Sequence, residues 1–109
     1  LYHKTSNRNV YAKAKAAHPD YDDVILWNER GEVTESCIAN VVVEKNGRII
    51  TPPLTSGLLP GVLRKNLLDA DEIVEEVVMK EDLLNAQTVW LINSVRGWRK
   101  ITIQTNDVP

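Results

Sequence analysis

The dipeptide Asn46-Gly47 is the feature that most constrains how this chain can fold. An Asn-Gly pair between two apolar segments is a strong signal for a two-residue β-hairpin turn, because both residues tolerate a positive φ. The preceding residues 38–44 include three consecutive valines, which favour an extended strand. We therefore predict that residues 48–51 return antiparallel to residues 38–44.

The rest of the chain alternates short apolar segments with polar turns. The alanine-rich residues 5–17 predict a helix, capped by Thr5 or Ser6 and ended by Pro19. Gly31 suits a turn between the first two strands. The other predicted strands are residues 23–28, 73–79, 89–93 and 101–105, and the other predicted helices are residues 62–69 and 81–86. This order predicts a single α/β domain, a mixed sheet with short helices on one side.

Composition excludes several classes of function. The chain has 109 residues, 13 basic and 15 acidic side chains and a net charge of -2, so it lacks the basic excess of a nucleic-acid-binding protein. No apolar run exceeds five residues, and we expect neither a membrane segment nor a signal peptide. The lone Cys37 fits a reducing, cytoplasmic location. His3, His18 and Cys37 are well separated in sequence, so we expect no metal site.

Two ionisable residues are candidates for chemistry. Lys4, beside His3, is either a solvated surface lysine or an amine nucleophile activated by burial or a neighbouring cation. Glu35 enters an apolar strand, where a carboxylate is costly without a partner. It is therefore either a turn carboxylate facing water or a site residue paired with a protonated ring nitrogen or another cation.

Two further segments have the composition of binding loops. Gly57 and Gly61 precede the predicted helix 62–69, and a helix start offers free amides and a positive dipole end to a phosphate. The segment lacks the spacing of a nucleotide-binding P-loop. Asn93 and Ser94 follow an apolar strand, a position that equally fits a binding residue and a simple turn.

Together, four segments resemble the class IV pyridoxal-phosphate enzymes, which include branched-chain and D-amino-acid aminotransferases and aminodeoxychorismate lyase. The segments are residues 3–8, 28–35, 57–64 and 92–97, and they occur in the family order. The resemblance implies the larger, C-terminal domain of the D-amino-acid aminotransferase-like fold (fold type IV). It also implies that the smaller N-terminal domain is missing from residues 1–109, which we expect to be part of a longer polypeptide. Residues 105–109 are polar, and their composition predicts a frayed tail.

The resemblance also implies a role for each candidate residue toward pyridoxal 5'-phosphate. Lys4 would form the Schiff base and shuttle protons, and Glu35 would keep the pyridine nitrogen protonated. The other cofactor-binding residues implied are the phosphate-binding Val62, Leu63, Asn93 and Ser94, with Arg8 near the cofactor. Branched-chain aminotransferases often have threonine at the position of Leu63, which weakens the resemblance to them.

Within the family, Lys-Thr-x-Asn-Arg at residues 4–8 and Ile-Asn-Ser-Val-Arg-Gly-Trp at residues 92–98 look most like aminodeoxychorismate lyase, in the version fused behind aminodeoxychorismate synthase component I. This implies conversion of 4-amino-4-deoxychorismate to p-aminobenzoate and pyruvate, in folate biosynthesis. The alternatives are an aminotransferase for branched-chain or D-amino acids, and a non-catalytic domain that mediates subunit contacts. The expected partners are a small-molecule substrate, the N-terminal domain of the same chain and a second copy in a homodimer. The fragment alone is expected to be inactive.

Overall fold

A computed structural model of the chain describes residues 9–14, 23–36 and 39–104. Within these ranges it contains eight β-strands, two α-helices and a short 3-10 helix at Leu54–Ser56. The strands are β1 (Asn9–Ala14), β2 (Asp23–Trp27), β3 (Val33–Ser36), β4 (Asn40–Lys45), β5 (Arg48–Thr51), β6 (Val74–Glu75), β7 (Thr88–Asn93) and β8 (Gly97–Gln104). The helices are α1 (Val62–Asp69) and α2 (Lys80–Asn85).

The strands form one mixed, curled sheet in the order β3-β2-β1-β8-β7-β4-β5-β6. Neighbouring strands are antiparallel, except that β6 runs parallel to β5. The first strand of this order also pairs with β4, because Glu35 of β3 lies opposite Asn40. Six strands therefore close on themselves, which leaves few unpaired strand edges among them.

The predicted hairpin is confirmed. Val43 pairs with Ile50 and Lys45 with Arg48, on either side of a two-residue turn. Asn46 and Gly47 have φ values of 52° and 78°, the positive values that this turn requires. The helix predicted over residues 62–69 is also confirmed as α1.

The helix predicted over residues 5–17 is wrong wherever the structure describes it. Residues 9–14 form β1, which pairs with β2 on one side and β8 on the other. Alanine favours a helix only weakly, and pairing along both edges of β1 overrides that preference. Residues 5–8 and 15–17 lie outside the described residues.

Two smaller differences concern short strands. Of the strand predicted over residues 73–79, Val74 and Glu75 form β6, exposed at the edge of the sheet, and Met79 makes an isolated bridge to Glu32. The four-residue strand β3 (Val33–Ser36) was not predicted, because it has no long apolar run and is held by pairing with β2 and β4.

The two faces of the sheet carry separate apolar clusters. One buries Val41, Val43 and Leu91 together with Leu83 of α2. The other buries Val42 and Ile92 with Leu67 of α1. Burying such a side chain contributes about 1.5–3 kcal/mol. The prediction of helices on one side is therefore wrong, since α1 and α2 pack on opposite faces. Neither helix in the described part of the chain has the length and apolar character needed to cross a membrane.

Candidate active site

A β-bulge in β3 determines on which face of the sheet the Glu35 side chain lies. Ile25 and Trp27 of β2 are two residues apart, but their partners Ser36 and Val33 in β3 are three apart. Strand β3 therefore contains one extra residue, and such bulges re-aim the side chains beside them. Without the bulge, Glu35 would lie on the same face as Val33, which is in the apolar cluster beside α2.

With the bulge, Glu35 lies on the face that carries α1. Its cross-strand partner is Asn40, and Asn40 shares a face with Val42, which packs in the α1 cluster. Glu35 and Asn40 each expose only 6% of their surface. A buried carboxylate and a buried amide therefore lie side by side under the segment that leads into α1.

Both side chains bind the backbone of Leu59. Glu35 Oε1 accepts a hydrogen bond of 3.0 Å from the Leu59 N–H. Asn40 Nδ2 donates one of 3.1 Å to the Leu59 carbonyl, which also accepts a bond from the Gly61 N–H. The side chain of Leu59 is exposed, so the loop is held here through its backbone rather than by burial of this residue. The loop of residues 57–61 is thereby fixed to the sheet on both sides of Leu59.

The loop of residues 57–61 leads directly into α1, so the N-terminus of this helix lies beside Glu35 and Asn40. Gly61 is the N-cap residue, with an extended backbone and no side-chain capping bond. The first amides of α1, from Val62 onward, have no intrahelical acceptors, and a helix start attracts anions. A Cβ built on Gly61 would collide with Asn40 Oδ1, so any larger residue there would require the Asn40 amide to move.

These elements surround a cavity of about 250 Å³. It is lined by Glu35, Ser36, Ala39, Asn40, Leu59, Gly61, Val62, Leu63, Asn93 and Ser94. The structure therefore brings together six residues singled out in the sequence: Glu35, Gly61, Val62, Leu63, Asn93 and Ser94. A larger cavity of about 370 Å³, between α2, β7 and β8, contains none of them. Lys4 and Arg8 lie outside the described residues.

The turn between β7 and β8 also lines the cavity, through Asn93 and Ser94. Asn93 Oδ1 accepts hydrogen bonds from the N–H groups of Val95, at 3.0 Å, and Arg96, at 2.7 Å. The Asn93 oxygen therefore stabilises the turn, as one of the two sequence interpretations proposed. Ser94 follows in the same turn and is exposed.

A second hydrogen-bond network supports the loop from the other end. Asn28 Nδ2 donates to Glu32 Oε1 at 3.0 Å and to the Ser56 carbonyl at 2.9 Å, and its Oδ1 accepts from the Arg30 and Glu32 N–H groups. The bond from Asn28, followed by that from Arg30, lowers the pKa of Glu32 below its usual 4.5. This network links the β2–β3 turn to the segment before Gly57.

Sequence reasoning missed Asn40 and Leu59. The argument that singled out Glu35, a polar side chain entering an apolar strand, applies equally to Asn40, which precedes three valines. No side-chain signal identifies Leu59, because its backbone makes the contacts. Among the residues that the structure describes, no group of His, Cys, Asp and Glu side chains could hold a metal ion.

Comparison with known proteins gives the family context of this cavity. The model of the family "Amino-transferase class IV" matches residues 1–103. A Schizosaccharomyces pombe protein with the provisional name aminodeoxychorismate lyase is 42% identical over 100 residues, covering 85% of this chain and 43% of the relative. Aminodeoxychorismate lyase of Bacillus subtilis is 36% identical over 92 residues, covering 80% and 31%. The chain thus spans less than half the length of these curated relatives.

Solved structures agree with the fold. The branched-chain amino acid aminotransferase from Escherichia coli superposes with a TM-score of 0.67 at 29% identity. The match covers 73% of this chain and 29% of the enzyme. The curled sheet described above therefore matches part of a fold-type IV aminotransferase structure.

Proposed function

This chain belongs to the amino-transferase class IV family, whose members are typically dependent on pyridoxal phosphate, and from that membership we propose a specific role. The cavity beside Glu35 binds pyridoxal 5'-phosphate, and the chain is the C-terminal, cofactor-binding domain of an aminodeoxychorismate lyase. The observation that carries this proposal is that Glu35, the start of α1 and the Asn93-Ser94 turn line one cavity.

The residues of the cavity fit the cofactor chemically. A phosphate needs hydrogen-bond donors, and α1 presents uncapped amides at Val62 and Leu63 beside a glycine that keeps the approach open. A pyridine nitrogen that is to stay protonated needs an anion, and Glu35 is a buried carboxylate on the same cavity. The volume of about 250 Å³ lies just below the roughly 300–1,000 Å³ of drug-sized ligand pockets. That size suits one aromatic ring with a phosphate.

Each of these residues has a separate role in the proposed reaction. Glu35 holds a proton on the pyridine nitrogen, and the bond from Leu59 to Oε1 fixes the orientation of the carboxylate. The Val62 and Leu63 amides hold the phosphate, so that the ring cannot rotate away. Lys4 removes the proton from the substrate carbon that bears the amine. When bound, pyridoxal phosphate supplies the electron-accepting ring that makes this carbon acidic.

The choice of a lyase over an aminotransferase rests on the curated relatives and on Leu63. Curated relatives with the lyase name are 42% and 36% identical, against 32% and 35% for relatives named as branched-chain and D-alanine aminotransferases. Leu63 offers the phosphate only its backbone amide, whereas branched-chain aminotransferases often have threonine there. The resemblance to the Escherichia coli branched-chain enzyme supports the second candidate, an aminotransferase that uses the same residues.

The test uses the longest polypeptide that contains this chain, because the chain spans less than half of its curated relatives. We expect aminodeoxychorismate to yield p-aminobenzoate and pyruvate in equal amounts, and Lys4→Ala to abolish both. Transfer of the amino group of a branched-chain amino acid or D-alanine to 2-oxoglutarate, without pyruvate release from aminodeoxychorismate, would favour the aminotransferase instead.

A further inference from the structure

We propose that Asn40 is a positioning residue, which holds the loop of residues 57–61 so that Glu35 and the first amides of α1 face one cavity. The inference rests on the proposed function for its consequence, cofactor affinity, but its structural basis is independent of the ligand. Asn40 itself is not assigned a contact with the cofactor.

The backbone of Leu59 is held at two points. Its N–H and its carbonyl are bound by Glu35 and Asn40, which are cross-strand partners in β3 and β4. Because the two side chains come from adjacent strands, the backbone of Leu59 cannot turn without breaking both bonds. The loop therefore takes its orientation from the point where the sheet closes on itself.

Asn40 also lies against Gly61, the residue before α1. Asn40 Oδ1 occupies the space that a Cβ on residue 61 would need. One side of the Asn40 amide thus holds Leu59 and the other packs against the residue that caps α1. A shift of this amide would move the Val62 and Leu63 N–H groups relative to the Glu35 carboxylate.

The experiment begins with amide hydrogen exchange of Asn40→Ala, using Asn66→Ala as the matched control because Asn66 is exposed on α1. Loss of the hydrogen bond from Asn40 to the Leu59 carbonyl frees the loop to open, and we expect an increase of about tenfold in the exchange rate of the Leu59 N–H. Strands β7 and β8 should keep their protection. Unchanged exchange at Leu59, or equal acceleration throughout the sheet, would overturn the proposal.

Cofactor affinity distinguishes a positioning role from general destabilisation, because general destabilisation would weaken the binding of pyridoxal phosphate and of pyridoxal alike. Asn40→Ala should weaken binding of pyridoxal phosphate about tenfold and binding of pyridoxal, which lacks the phosphate, much less. Equal losses for the two compounds would contradict a role in placing the phosphate site. If the longest polypeptide containing the unaltered chain does not bind pyridoxal phosphate, the proposed function fails, whereas Leu59 exchange still shows whether Asn40 holds the loop.

A double variant keeps the test decisive if one substitution damages folding. Gly61→Ala should lower the urea midpoint, because its Cβ collides with Asn40, and adding Asn40→Ala removes the collision. The double variant should therefore unfold at the midpoint of Asn40→Ala alone, and additive losses would refute the contact. Asn40→Asp, which keeps the shape but loses the donor, should reproduce the faster Leu59 exchange.

Discussion

Replacing Glu35 with glutamine tests the catalytic role of the carboxylate separately from its role in holding the Leu59 backbone. The side chain is 6% exposed, and Oε1 accepts the Leu59 N–H at 3.0 Å. Glutamine has nearly the same shape and keeps a carbonyl oxygen for this bond. The loss of a charge-assisted bond is then partly offset by the lower cost of burying a neutral amide, so the free energy of unfolding should change by no more than about 1 kcal/mol.

The effect on catalysis should be much larger. A neutral amide cannot hold a proton on the pyridine nitrogen as a carboxylate does, and losing one preorganised electrostatic contact costs about 10²–10³ in kcat. The assay is pyruvate release by the longest polypeptide containing the chain, with urea unfolding of the same variant as the structural control. Full turnover by Glu35→Gln would refute the reasoning, and so would a loss of activity that only follows a loss of folded protein.

Three further predictions concern Lys4, Leu63 and Asp82. Incubation with pyridoxal phosphate and borohydride, followed by peptide mapping, should label Lys4 rather than the exposed Lys65; labelling spread evenly over the lysines would contradict its role. Leu63→Thr should tighten pyridoxal phosphate binding about threefold by adding one hydroxyl contact, and a titration showing weaker binding would count against the phosphate site. Asp82 accepts the Met79 N–H, which lowers the pKa of its carboxyl below 3.8, with Lys45 contributing further. Its stabilisation is therefore present above pH 3.8 and lost as the pH falls through the lower folded-state pKa. Asp82→Ala should cost about 1 kcal/mol at neutral pH and progressively less as the pH falls below 3.8; a loss in urea unfolding that does not change with pH would contradict this.

The parts of the fold set by local chemistry could be predicted from the sequence. The Asn46-Gly47 hairpin depends on two residues and their φ values, and α1 begins after Gly61 as expected. The helix predicted over residues 5–17 failed at residues 9–14 because β1 gains partners far away in sequence, from β2 and β8. Alanine content cannot report such pairing.

In the candidate site, too, the features set by local sequence were predictable and those set by distant contacts were not. Glu35 was singled out correctly as a polar residue in an apolar setting, but its direction depends on a bulge that appears only when β2 and β3 are paired. Asn40 and Leu59 are joined by a hydrogen bond from a side chain to a backbone carbonyl, between segments 19 residues apart in sequence. The proximity of Val62 and Asn93 was implied only by family resemblance, since their closeness depends on the packing of α1 against β7.

The central claim is that this cavity, rather than another, receives the phosphate of pyridoxal phosphate. The most direct measurement is a titration of the isotopically labelled chain, following each backbone amide by NMR. The account predicts the largest shifts at Val62, Leu63 and Ser94, with little change around the larger cavity lined by Lys100 and Ile101. Shifts concentrated at that larger cavity, or none at the start of α1, would contradict it.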